Sequence, residues 1–288
     1  MESFDIDKKR QFYIKSNENV KISRNMLGLG LLRDYKDPST LKRISDFCNF
    51  FKEYNESFLY REIDIIFIDA LANLLDRIDD DKISEFFIKA YLDSKIIYDD
   101  LDISESKAAI FSKDGKINYQ VMLPDKYKNT NLSYAILTHE LTHYLLALKE
   151  RKIDAFEFSE VLSIYFEYLM YQETSIDGFP YFINNRLVLL NDTCEDLRDD
   201  LYYANHPHFL GIDEENYEGV LSANNAYLES LEYVLNLIER EKQDSSTINK
   251  SISKILQGES TSVDEAKKLD IDTTCHKQLK KVIKMRKC

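Results

Sequence analysis

The chain has 288 residues and a formal net charge of −13, with Asp and Glu outnumbering Lys and Arg by 51 to 38. That length supports a core without disulfide staples, and the acidic balance opposes nonspecific nucleic-acid binding. With 19 Tyr and 16 Phe in the chain, wholesale disorder is not expected either.

In chain order, LKRISDFCNFFKEYN carries Leu41, Ile44, Phe47, Cys48 and Phe51 along one helical face, and SFLYREIDIIFIDALANLLDRI repeats the pattern from Ser57 to Ile78. After a turn at Asp79 to Asp81, KISEFFIKAYLDSKII predicts another helix. Residues 1–107 therefore form a mainly helical N-terminal region. The pattern changes at Ala108, where AAIF, the turn SKDGK and INYQVMLP predict a β-hairpin closed by Pro124. Two long helices follow, one around HELTH and one from Ala155 to Gln172, then a mixed aromatic stretch from Phe179 to Tyr217 and a helix over Asn224 to Glu241. Residues 108–242 are expected to form a second, central unit. QDSSTINKSISKILQGESTS, residues 243–262, is Ser-rich and weakly periodic and is expected to be a linker. Residues 263–288 predict a C-terminal basic helix, whose tail CHKQLKKVIKMRKC has six Lys or Arg and no acid and is expected to be a solvated face. The fold class expected is mainly α with a small β-sheet.

Four widely separated cysteines without a CxxC pair suit reduced thiols. MESFDIDKKRQFYIK lacks a signal peptide's basic and apolar regions, and no apolar run is long enough for membrane insertion. A soluble cytoplasmic protein is expected.

The chemistry concentrates at His139-Glu140-Leu141-Thr142-His143, an HExxH pattern. Side chains four apart on a helix project from one side, so His139 and His143 can share one metal ion. Glu140 is rotated away from direct ligation but stays near enough to act as a base on a metal-bound water. These are two of only five histidines in the chain, so histidine enrichment does not explain the pair. The third ligand must come from elsewhere, because Leu146 and Lys149 stand where a metzincin would have Gly and His. The next helix offers Glu157, Glu160 and Glu167. Glu160, Ser163 and Glu167 lie along one stripe of an otherwise apolar helix, and such a stripe requires a buried partner or a wet cleft. Glu160 is favoured as ligand, with Glu157 its competitor, and one Zn2+ is the expected cofactor.

With these residues in place, the chain resembles the thimet oligopeptidase and oligoendopeptidase F family of zinc peptidases, shortened relative to typical members. The resemblance lies in HELTH and in E-V-L-S-I-Y-F-E, which aligns Glu160 with the family's ligand, Ser163 with its helix serine and Glu167 with a supporting carboxylate. A further match at HFLGIDEENYEG aligns His208 and Tyr217 with residues that stabilise the developing oxyanion. The resemblance implies a gluzincin with a zincin-like core, Glu140 as catalytic base, and peptide or protein as substrate, with INYQVML a candidate edge for an extended peptide. The alternatives are a noncatalytic protein-binding module on a zincin scaffold and a zinc hydrolase of a non-peptide amide.

Overall fold

The computed structural model describes residues 56–78, 80–103, 106–113, 116–148, 160–204, 214–273 and 276–286. The helix expected in residues 41–55, the RKID link and Glu157 lie outside them. The described chain is mainly helical with one small sheet. Its elements are α1 (Phe67–Asp76), α2 (Asp81–Asp93), β1 (Ser94–Asp99), β2 (Lys107–Lys113), β3 (Lys116–Pro124), α3 (Asn131–Leu148), α4 (Val161–Thr174), α5 (Phe179–Ala204), α6 (Glu214–Glu241), α7 (Ser245–Gln257), α8 (Ser262–Lys268) and α9 (Lys277–Arg286). None of the described helices is long and apolar enough to cross a membrane.

The stretch from Ser57 is helical only from Phe67, where Phe67, Ala70, Leu71, Leu74 and Leu75 are buried on one face of α1. The residues before it are not helical, and two asparagines supply backbone partners that a helix would have supplied. Asn185 accepts from Leu59 N at 2.7 Å and donates to Leu59 O at 2.7 Å, while Asn131 Oδ1 accepts from Arg61 N at 2.9 Å. This strap also takes backbone bonds from Ile63 N to Asn129 O and from Asn131 N to Arg61 O, each 3.1 Å. A buried amide on each of α3 and α5 therefore ties the strap down from two sides.

The helix expected to run through SKII stops at Asp93, and Ser94–Asp99 is a strand. Ser94 Oγ donates to Ala90 O at 2.6 Å, and the β-branched Ile96 and Ile97 then enter the sheet. The hairpin of β2 and β3 pairs antiparallel, Lys107 opposite Met122 through Lys113 opposite Lys116. β1 pairs with the other side of β3 in parallel, Ser94 opposite Tyr119 through Asp99 opposite Pro124. Strand order is β1-β3-β2. INYQVML is thus the central strand, with both sides occupied, which removes it as an edge for peptide addition. The boundary expected at residue 107 also falls inside the sheet, since β1 from the first region is hydrogen-bonded to β3 from the second.

α3 and α4 form the middle of the molecule. Every residue of α3 from Asn131 to Thr142 is buried, as are Val161 to Glu167 of α4. Helices apolar all round belong inside a core, and two buried threonines of α3 find partners on their own helix, Thr138 Oγ1 donating to Tyr134 O at 2.9 Å and Thr142 Oγ1 to Thr138 O at 2.8 Å. α4 and α5 meet at a close turn. A Cβ on Gly178 would lie 2.3 Å from Tyr171 O and 2.6 Å from Gln172 N, backbone atoms that cannot swing aside. Gly178→Ala should therefore lower stability by about 1–3 kcal/mol, read as a fall in the thermal midpoint.

From Phe179 to Ala204 the stretch expected as mixed is the helix α5, and most of the segment expected as a linker, Ser245–Gln257, is the helix α7. α7 starts at Asp244, which accepts from Thr247 N at 3.1 Å, and ends at Gly258 with φ 74°. Its buried face is Ile248, Ser251, Ile252, Ile255 and Leu256. Serines of low helix propensity masked that 3.6-residue period. The single terminal helix is instead two, α8 and α9, separated by residues with positive φ at Asp270 (50°) and His276 (46°). Leu279, Val282 and Ile283 turn the apolar side of α9 into the core.

Candidate metal centre

His139 and His143 lie one turn apart on α3, and Glu160 stands at the residue preceding α4, where its backbone φ is −95° and ψ −3°. His139 Nε2 and His143 Nε2 are 3.1 Å apart, and Glu160 Oε2 is 3.4 Å from the first and 3.2 Å from the second. The three residues form a group that could hold a metal ion. The fit can be tested on these distances. Zinc bonds of about 2.0–2.2 Å at tetrahedral angles place neighbouring donor atoms about 3.4 Å apart, so the triangle has the size of one face of that tetrahedron. Two neutral nitrogens and one carboxylate oxygen are also a chemically suitable set for such an ion.

Glu160 is held from behind. Ser163 Oγ, fully buried, lies 3.2 Å from Glu160 Oε2 and 3.1 Å from its carbonyl oxygen, so the hydroxyl can donate to either. The other side of His139 meets a second layer. Its Nδ1 is 3.3 Å from Glu167 Oε2 on α4 and 2.7 Å from Arg186 Nη2 on α5. Arg186 Nε donates to Glu167 Oε1 at 2.9 Å, and Nη2 abuts Oε2.

The charges explain how the two imidazoles differ. Burial, with the positive charge of Arg186 beside it, pushes the His139 pKa down to about 3. Burial also works against charge on His143, but the charge and hydrogen bond of Glu160, with a contribution from Glu140, outweigh it and raise its pKa to about 9. Burial opposes the ionised form of Glu160 as well, yet His143 and the hydrogen bonds from both imidazoles hold it well below the usual carboxylate range. Burial lowers the pKa of Arg186 to about 10, against the opposing pull of the Glu160 and Glu140 carboxylates.

The structure thus brings together His139, His143, Glu160 and Glu167. Glu140 is buried at 8% exposure one residue after His139. Tyr217 falls in the first turn of α6, and His208 lies outside the described residues. Arg186 was missed in the sequence. Its signal was a single charge inside INNRLVLL, which requires a buried counter-charge once that stretch is helical.

No protein-family model, no curated protein and no solved structure matches this chain. Its class therefore rests on what fold and site define together, a mainly helical protein with a candidate His-His-Glu metal centre at its core.

Proposed function

We propose that the protein is a zinc-dependent peptidase of gluzincin type, with a zincin-like core, and that His139, His143 and Glu160 hold its metal. The observation that carries the proposal is the triangle of donor atoms, 3.1 to 3.4 Å on a side, with a carboxylate of no ligating role next to it in the chain. A structural metal has no need of that carboxylate; hydrolysis needs a base there.

Bound at this site, zinc would supply a Lewis acid that polarises a carbonyl and lowers the pKa of a coordinated water. Glu140 takes the proton of the attacking water and returns it to the leaving amine, the usual division of labour for one general acid and base. Glu160 contributes one negative charge to the donor set while the imidazoles contribute none, which leaves the ion electrophilic. Ser163 keeps the Glu160 oxygen aimed. Stabilisation of the oxyanion falls to Tyr217 and His208 by the family resemblance, since donors must already point to where the charge appears. An extended peptide substrate would add to an outer edge of the sheet rather than to β3, because within the described residues no strand pairs with the far side of β1 or β2.

The test is metal content and hydrolysis together. The purified chain should carry or take up one zinc, cleave unstructured peptides in a mixture read by mass spectrometry, stop on chelation and recover with zinc. Stoichiometric zinc without cleavage of any peptide would replace this reading by a binding module or a hydrolase of another amide.

A further inference from the structure

The least expected group beside the donor triangle is a guanidinium. Arg186 is buried at 6% exposure, Glu167 at 2% and His139 at 6%, and they come from three different helices, α5, α4 and α3. We propose that Arg186 is a positioning residue that clamps Glu167, so that Glu167 fixes His139 with its proton on Nδ1 and its Nε2 open to the metal. This rests on the metal-binding part of the reading above.

His139 Nδ1 has two polar neighbours, Glu167 Oε2 at 3.3 Å and Arg186 Nη2 at 2.7 Å. A guanidinium only donates and a carboxylate only accepts. If Arg186 donates to Nδ1, the neutral ring must carry its proton on Nε2, inside the donor triangle, where it blocks coordination. If Nδ1 carries the proton it must donate, and the adjacent acceptor is Glu167. Metal binding therefore selects the Glu167 partnership, and Nη2, 2.7 Å from Nδ1 in the metal-free arrangement, must then draw back onto the carboxylate, because two donors cannot share that distance. Arg186 supports it by engaging the carboxylate with Nε at 2.9 Å from Oε1 and Nη2 against Oε2, a two-pronged grip that fixes the plane of the acceptor. Lysine, a single point charge, cannot hold that plane. The grip also cancels the buried charge of Glu167, so the imidazole gains an acceptor without a second uncompensated anion next to the ion. Such outer partners orient ligands and tune metal affinity.

The experiment measures zinc dissociation constants by competition with a chromophoric chelator, on full-length chains whose folding is checked by circular dichroism. Arg186→Met and Glu167→Gln should each weaken zinc binding about 10- to 100-fold. The double variant, which leaves no lone buried charge and so protects the fold, should bind no worse than the weaker single, because both changes remove one support. Arg186→Lys should fall between wild type and Arg186→Met. Nitrogen NMR of the zinc-loaded wild type should find the His139 proton on Nδ1. A double variant that binds zinc within twofold of wild type overturns the proposal, as does a zinc-loaded His139 protonated on Nε2. A purely structural role for Arg186 would lower the melting temperature while leaving zinc affinity unchanged. Wild type that binds zinc tightly but cleaves nothing would sink the peptidase reading and leave this inference standing, whereas wild type without zinc affinity would sink both.

Discussion

Glu140→Gln should keep its metal and lose about 10²- to 10⁴-fold in kcat. The substitution preserves shape and hydrogen-bonding reach but cannot accept a proton, so it isolates the base from the rest of the site. Metal should be retained for two reasons. Glu140 is not one of the three donors, and successive residues on a helix are turned by about 100° from each other, which directs it away from the stripe that His139 and His143 share. Its charge, moreover, is among those that favour the protonated form of His143. Removing that charge eases loss of the His143 proton, which metal binding requires, so affinity should hold or rise slightly. Zinc content by atomic emission and peptide turnover on the same preparation check both halves. Turnover within tenfold of wild type would reject Glu140 as base, and loss of zinc would mean that it supports the donor set directly.

How far the sequence reveals this arrangement differs from element to element. The HELTH helix was legible because a motif and an apolar run coincided, and the β2–β3 hairpin because a Gly-containing turn separated two alternating segments. Glu160, Ser163 and Glu167 were legible as a polar stripe two helical turns long in an apolar segment, since such a stripe must face something. Most of what escaped depends on partners remote along the chain. The strap at residues 56–66 has a helical pattern, but Asn131 and Asn185 claim its backbone from positions about 70 and 126 residues away. β1 reads as the end of a helix until β3 offers it a ladder. α7 was hidden by serines whose propensity argues against the helix that Ile248, Ile252 and Ile255 require. Arg186 lies 47 residues from His139, and one arginine in an apolar run announces a buried counter-charge without naming it. The donor set itself, with Ser163 and Glu167 behind it, is local to α3 and α4, whereas Arg186 arrives from a third helix.

Metal affinity should rise about tenfold for each pH unit from about pH 5 to pH 7, about 100-fold in all, through a single proton. The sign follows from the state of each ligand. A protonated imidazole has no lone pair to give, so every proton held by a ligand in the metal-free protein competes with the ion. His139, with its pKa pushed down to about 3 by burial and Arg186, is already neutral throughout that range. Glu160, held well below the usual carboxylate range, is already ionised. Only His143, raised to about 9 chiefly by Glu160, has a proton to lose, so one proton leaves per ion bound and the logarithm of affinity climbs with a slope of one. Two ordinary imidazoles with pKa of about 6.5 would behave differently. Below about pH 6 both would be mostly protonated and the slope would approach two; above about pH 7 it would fall towards zero. Competition titrations below about pH 6 separate the cases before ionisation of a zinc-bound water, with a pKa of about 7, adds a proton of its own. A slope near two there would show that Glu160 does not divide the pair into one neutral and one charged histidine. The same division can be seen directly in the NMR titration of the metal-free chain, in which His143 should hold its proton to about pH 9 while His139 shows no imidazolium at pH 5. The shared carboxylate that makes the pair a good metal site thus also binds the proton that zinc must displace.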